Sequence, residues 1–246
     1  MRIALFADIH ANRQAFGACL AHARASGAER HVLLGDYVGY GADPEWTVRT
    51  VMELVAGGAV AVQGNHDSAV NNPRVQMNEE ATAAITWTRG QLGAAERAFL
   101  AGLPLRHEEP GRLFVHAEAS HPERWDYVID VADAGRSLQA TSAHLTVCGH
   151  IHRPAIYSMS TVGKMTAFTP VADVPIKLLP GRQWLAVLGS VGQPRDGNPA
   201  ACYAMLDTIT GEISYRRVPY DIAEAAARIR AQGLPGWLAD RLRVGR

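Results

Sequence analysis

Short apolar runs alternate with amphipathic stretches along the first two-thirds of the chain, and most of the runs break off at a polar cluster. Residues 3–7 are continuously apolar, the pattern of a strand buried on both faces, and they stop at Asp8-Ile9-His10. Phe16, Cys19, Leu20 and Ala23 then recur at three- and four-residue steps, which predicts a helix that Ser26-Gly27 ends. Residues 31–34 form a second strand pattern, followed by a glycine-rich loop at 35–41 and a helix striped by Val48, Val51, Met52 and Val55, with Pro44 suited to its first turn. A third strand at 59–62 runs straight into Gln63-Gly64-Asn65-His66-Asp67.

Beyond this point Asn78-Glu79-Glu80 offers a cap and an acidic first turn for a helix through Arg89, and residues 94–100 predict another. Residues 113–115 form a short strand with His116 at its end, and a polar, aromatic loop at 118–127 is placed to flank a substrate. A weaker helical pattern covers 133–139, and the strand at 145–148 ends in Gly149-His150-Ile151-His152. The rest reads as strands at 155–159, 164–168, 176–179, 184–188, 201–206 and 213–218, suited to antiparallel pairing through short turns. Ile222, Ala225, Ala226 and Ile229 stripe a last helix, with Trp237 and Leu242 as anchors in a basic tail. β-α units followed by strands predict an α/β fold.

Composition narrows the choice of partners. With 246 residues, 48% of them hydrophobic, the chain has enough apolar material for one large domain spanning 1–246. Acidic and basic residues balance at 24 each, so no broad cationic field favours bulk nucleic-acid binding, and phosphate recognition must be local. Cys19, Cys148 and Cys202 lie far apart in apolar runs and read as core fillers. No stretch is apolar enough to span a bilayer, and the first strand begins where a secretory leader would stand, so a cytoplasmic location with no membrane partner is expected.

Candidate chemistry gathers at the strand ends. Taken singly, Asp8-Ile9-His10 suits a strand cap, Gly35-Asp36 a turn, His116 a core histidine and Gly149-His150-Ile151-His152 an exposed edge. Period-two alternation would put Asp8 beside His10, and His150 beside His152. Together Asp8, His10, Asp36, Asn65, His116, His150 and His152 supply carboxylate, amide and imidazole donors, a set suited to first-row divalent metals. Seven donors exceed one tetrahedral site and serve two ions if one carboxylate, here Asp36, bridges them. His22, His31, His107, His121 and His144 lack comparable motifs and read as surface or locally bonded.

The ordered set of Asp8-Ile9-His10, Gly35-Asp36, Gly64-Asn65-His66-Asp67, His116 and Gly149-His150-Ile151-His152 resembles the calcineurin-like metallophosphoesterase superfamily. The resemblance implies a four-layer α-β-β-α sandwich with two mixed β-sheets. It also implies two divalent cations, with manganese, iron, zinc, cobalt and nickel all compatible. Asp8, His10 and His152 would hold one, Asn65, His116 and His150 the other, and Asp36 would bridge them. Two such ions, about 3.5–4 Å apart, convert a bridging water to hydroxide that attacks phosphorus in line. His66 is then implied to stabilise the transition state or protonate the leaving oxygen, with Asp67 orienting its ring and favouring the imidazolium.

Protein phosphatases of this superfamily usually carry an acid and an arginine in the second motif, where this chain has Gly39 and Tyr40. Asp8-Ile9-His10-Ala11-Asn12 and the stretch at 189–196 look more like the compact bacterial phosphodiesterase branch, which includes diadenosine polyphosphate hydrolases, although Ala11 replaces a glycine common there. A nucleotide-like small phosphoester is the expected substrate. Arg195 suits a phosphate contact or a surface ion pair, and Asn12 suits a phosphate contact or a helix cap. Tyr37, Tyr40, Trp125 and Tyr127 are candidates for stacking on a base. The alternatives are a phosphomonoesterase, protein phosphatases included, and an interaction scaffold that has lost hydrolysis. Scaffolds of that kind tend to lose His66 or ligands, and this chain keeps them all.

Overall fold

A computed structural model describes residues 1–246. Strands β1 (Arg2–Phe6), β2 (Arg30–Leu33) and β3 (Val60–Ala61) alternate with helices α1 (Arg13–Ala25) and α2 (Pro44–Ala56). Helices α3 (Asn65–Asn71), α4 (Glu79–Gln91) and α5 (Ala94–Gly102) follow, then β4 (Arg106–Glu109), β5 (Arg112–Val115), α6 (Val131–Gln139) and β6 (Leu145–Cys148). The remainder is β7 (Ala155–Ser160), β8 (Met165–Phe168), β9 (Ile176–Lys177), β10 (Arg182–Val187), β11 (Ala201–Asp207), β12 (Glu212–Val218), α7 (Ile222–Ala231) and α8 (Gly236–Leu242).

Two six-stranded mixed sheets result, with orders β3-β2-β1-β11-β12-β9 and β4-β5-β6-β10-β7-β8. β1, β2 and β3 pair in parallel, as do β5, β6 and β10, so the carboxyl ends of each group lie along one edge of their sheet. Side-chain alternation then assigns the layers. Ala4 and Phe6 face outward onto Phe16 and Cys19 of α1, while Ile3 and Leu5 face inward onto a core shared with Phe114, Val147 and Trp184 of the second sheet. On the far side Leu113, Val115 and Leu185 pack against Ala134 and Leu138 of α6. The result is a four-layer α-β-β-α sandwich with an apolar seam between its two sheets. α7 and α8 close one end by packing Ala226, Ile229 and Leu238 on Ala81 and Ala84 of α4 and on Tyr40.

Three elements depart from the sequence pattern. α3 begins at Asn65, so the third polar cluster is the first turn of a helix and not a loop. The tail beyond Gly233 folds as α8, and the polar segment Arg106–Glu109 forms an edge strand paired with β5. Asn78 caps α4 as expected, accepting from the Ala81 N–H at 2.8 Å.

Candidate metal centre

Each donor stands just past the carboxyl end of a parallel strand: Asp8 after β1, Asp36 after β2, Asn65 after β3, His116 at the end of β5, and His150 and His152 after β6. Pleat alternation does not bring them together. Asp8, His10, Asp36, His150 and His152 all adopt left-handed backbone, with φ of 56°, 48°, 54°, 72° and 60°. Non-glycine residues tolerate that region at a cost of about 1 kcal/mol or more each, and such strain gathers at functional sites. The chain therefore turns sharply at these five donors, which a period-two reading does not anticipate. His10 and His152 end up on one side of the centre and His150 on the other.

Two donor groups form, and they share Asp36. Asp8, His10, Asp36 and His152 place ligand atoms within 4.8 Å of one another, and so do Asp36, His116 and His150. The Asn65 Oδ1 joins the second group, 3.2 Å from His116 Nε2. All six titratable donors are buried.

Tautomers decide what this arrangement accepts. His10, His116 and His152 each donate Nδ1–H to a backbone carbonyl, those of Val38 at 3.0 Å, Leu34 at 2.7 Å and Gln193 at 2.7 Å. His150 donates Nε2–H to the Trp125 carbonyl at 2.9 Å and so turns Nδ1 inward instead. A carbonyl only accepts, so a neutral ring in this position has no proton on its inner nitrogen. The inner nitrogens of His10 and His152 nevertheless face each other at 3.0 Å, and those of His116 and His150 do the same at 3.0 Å. Facing lone pairs in the His10–His152 pair are reconciled by a metal cation, and the His116–His150 pair beside Asp36 is reconciled by a metal cation or by a proton on His116. The residues therefore fit two divalent metal ions, one per group.

Electrostatics point the same way. Burial holds the His10 and His152 rings well below the ordinary histidine range and pushes His150 down to about 3. Their close approaches to Asp36 and Asp8 are accordingly contacts of neutral rings, not ion pairs. Burial opposes a charge on His116 too, but the Asp36 carboxylate 3.4 Å away outweighs it and raises that ring to about 9. Burial raises Asp8 to about 7, and two N–H···O contacts from the His150 amide at 3.0 and 3.1 Å oppose the rise.

Asp67 does not orient His66. Its carboxylate accepts three backbone N–H groups, from Asp36 and Tyr37 of the second motif at 2.8 and 2.9 Å and from Gly64 at 2.9 Å. It ties the loop carrying the shared ligand to the start of α3. Close approach is possible only because residue 64 is glycine, since a Cβ there would stand 2.2 Å from Asp36 Oδ1. The His66 N–H completes the junction by donating to Asp36 Oδ1 at 2.9 Å.

The His66 ring packs edge-on against His10 at 4.8 Å, and its Nδ1 is buried with no hydrogen-bond partner. Gly39 makes room for the ring, because a Cβ at residue 39 would lie 2.3 Å from that nitrogen. Burial pushes His66 down to about 4, so the imidazolium expected from an Asp-His pairing is not favoured.

Two further expectations change. Asn12 caps α1 through Oδ1, 3.1 Å from the Ala15 N–H, and its amide donates to the Gly192 carbonyl at 2.8 Å and to Tyr220 Oη at 3.3 Å. It is a buried tie between β1, α1 and the 189–196 loop and leaves no amide hydrogen for a phosphate. Tyr37 is fully buried, its hydroxyl bonded to the Leu33 and Val62 carbonyls, which removes it as a stacking face. Arg195 does reach the centre. Its guanidinium lies over the Tyr40 ring at 5.6 Å and donates to Gln193 Oε1 at 2.7 Å, with no surface ion pair.

The supporting carbonyls of Leu34, Val38, Trp125 and Gln193 carry no signal in the sequence, because any residue supplies a carbonyl. Ser190 had a signal, lying in the same 189–196 stretch as Arg195. Its hydroxyl donates to the Asp8 carbonyl at 2.7 Å and accepts from Gln193 N–H at 2.7 Å.

A four-layer sandwich with a carboxylate shared between two buried histidine groups defines a metal-dependent hydrolase. Residues 1–211 match the model of the calcineurin-like phosphoesterase superfamily domain, and the chain belongs to that family. It is a phosphoester hydrolase. An uncharacterized protein of Methanocaldococcus jannaschii, MJ0912, is 36% identical over 255 residues, covering 99% of this chain and 98% of its own. A metallophosphoesterase from Sphaerobacter thermophilus is 32% identical, with a TM-score of 0.88 over 100% of this chain and 99% of that one. The hypothetical protein PH1004 of Pyrococcus horikoshii OT3 shares the fold at 18% identity, with a TM-score of 0.81 over 100% and 98% of the two chains.

Proposed function

We propose that the protein hydrolyses phosphodiesters or nucleotide pyrophosphate linkages, with Asp8, His10, Asp36 and His152 holding one divalent cation and Asp36, Asn65, His116 and His150 the other. The supporting observation is that the donor set opens in two directions. A cavity of about 190 Å³ lies over Asp36, His66 and His152 and is bounded by Arg195. A second, of about 640 Å³, leads away past Asn65 and His150, which line both. A phosphorus centre over the donors has room for a substituent on each side, which a diester uses and a monoester does not.

Bound cations would supply Lewis acidity and an activated water for in-line attack. The chain's own residues supply the rest. Arg195 is an unneutralised guanidinium at the mouth of the smaller cavity, suited to a non-bridging phosphate oxygen. His66 lines the same cavity and offers its ring to a substrate oxygen, while Asp67 keeps Asp36 and the start of α3 in register. Glycine and tyrosine at 39 and 40 leave no second-motif arginine for a phosphoprotein. The ligand types leave manganese, iron, zinc, cobalt and nickel open, with availability deciding among them. No helix is long and apolar enough to cross a membrane, and three buried free thiols suit a reducing compartment, which supports a cytoplasmic setting.

Metal-stripped protein, resupplied with manganese, is expected to hydrolyse bis-p-nitrophenyl phosphate with a higher kcat/KM than p-nitrophenyl phosphate. A preference for the monoester would favour a phosphomonoesterase. No manganese-dependent rate on either ester would overturn the proposal.

A further inference from the structure

The larger cavity is not shaped as an indifferent exit. At about 640 Å³ it falls in the range of small-molecule sites, and it adjoins the smaller cavity along Asn65, Gln76, Tyr127 and His150. Its lining is of two kinds. One is the 123–127 loop, where the Tyr127 ring lies parallel to His150, with centroids 4.3 Å apart and planes at 13°, yet stays 52% exposed. Trp125 adjoins it, half-buried and edge-on to His116 at 5.8 Å. The segment between α3 and α4 also lines the cavity, contributing Asn72 and Arg74. Arg124 on the aromatic side is compensated by Asp126 at 3.3 Å, whereas Arg74 takes part in no ion pair.

An exposed, rigidly backed ring is costly to leave in water and offers a flat apolar face. Backing by a buried histidine fixes its plane, so little side-chain freedom is lost when a second ring stacks on it. Glu123 is the one carboxylate in the lining and Arg74 the one guanidinium there without an ion pair, so negative charge is favoured at the Arg74 end. We propose that this groove binds a nucleoside phosphate arm of the substrate, the base stacked on the Tyr127–Trp125 wall and an anionic phosphate facing Arg74. The inference rests on the diesterase reading above and names the arm that the larger cavity holds. Tyr127 and Arg74 are on this account specificity residues, and neither belongs to the donor set.

Thymidine 5′-(p-nitrophenyl) phosphate and methyl p-nitrophenyl phosphate release the same leaving group and differ only in the nucleoside. Manganese-loaded protein is expected to prefer the thymidine ester about tenfold in kcat/KM, in line with the usual worth of one stacked base. Tyr127→Ala should abolish that preference, and Tyr127→Phe should keep it. A Tyr127 that merely propped up His150 would lower both rates alike and leave their ratio unchanged, which would overturn the inference. Equilibrium dialysis supplies a readout independent of turnover. AMP should bind about tenfold more tightly than ribose 5-phosphate, Tyr127→Ala should erase that difference, and Arg74→Ala should weaken both. AMP affinity unchanged in Arg74→Ala would overturn the phosphate contact. If wild-type protein hydrolyses both esters equally, the groove assignment fails and the diesterase reading stands. If it hydrolyses neither, the diesterase reading fails while dialysis still decides what the groove binds.

Discussion

Asp36 and His66 lie 30 residues apart and are joined by one hydrogen bond, yet their roles separate cleanly. Asp36 belongs to both donor groups, whereas His66 belongs to neither. Asp36→Asn is therefore expected to lower metal content at both positions, and His66→Ala to retain near-normal metal while turnover falls by about 10²–10⁴. Metal analysis alongside kcat checks this, and equal metal loss in both variants would contradict it. Asp67 serves the backbone. Removing a carboxylate that accepts three buried N–H groups leaves each without a partner, so Asp67→Ala should cost about 3–5 kcal/mol in urea unfolding. A loss below about 1 kcal/mol would show that the clamp is dispensable. At this scale the sequence was legible where chemistry depends on side-chain type. The seven donors could be named because carboxylate, amide and imidazole recur at the ends of several successive apolar strands, a coincidence that core packing does not require. The supporting carbonyls could not, because any residue supplies one, and neither could the placement of the His66 ring, which depends on the room that Gly39 leaves.

Strands and helices were legible wherever apolar period was strong, as in β1, α1, β2 and α2. α3 was not, because Asn65-His66-Asp67-Ser68 carries no apolar stripe. Its helical form follows from Gly64, whose amide pairs with Asp67 in the first turn, a local bond that the sequence presents as ordinary loop composition. β4 was missed because Arg106-His107-Glu108-Glu109 is polar throughout, and tertiary pairing with β5 overrides its composition. This edge strand has a purpose in holding the sheets together. Glu109 accepts from Arg112 in its own hairpin and from Arg30 of β2, in the other sheet, at 2.8 and 2.7 Å. Burial alone would raise the Glu109 carboxyl, but the two guanidiniums outweigh it and hold it below its ordinary value. An acid with a lowered folded-state pKa contributes stability above its ordinary pKa and loses it as pH falls through the folded value. Glu109→Gln should therefore cost about 1 kcal/mol at pH 7, and the gap to wild type should narrow progressively as pH falls below the ordinary glutamate value of about 4. A gap that persists unchanged at pH 3 would exclude the ion pair as its source.

For the whole molecule, the seam between the sheets and the metal centre are two ends of one arrangement. Ile3, Leu5, Phe114 and Val147 pack the seam, and the chain continues from the same strands into Asp8, His116 and His150. We propose that residues 1–246 unfold as one unit, with far-UV circular dichroism and tryptophan fluorescence giving coincident transitions. Metal should stabilise that unit by mass action, since it binds only the folded donor arrangement. Chelation is expected to lower Tm by several degrees, with manganese restoring it, and a Tm indifferent to both would mean the facing nitrogens do not need a cation. The four-layer architecture itself was legible from the order of elements and the motif resemblance. The direction in which the centre opens was not, because it depends on how two loops distant in sequence face each other.

Asp36, shared by both donor groups, is proposed to stand between two cations. Anomalous diffraction at the manganese edge from crystals of the manganese-loaded protein tests it directly. Two peaks are predicted on either side of the Asp36 carboxylate, one among Asp8, His10 and His152 and the other among Asn65, His116 and His150. A single peak, or peaks that leave Asp36 uncontacted, would contradict the account.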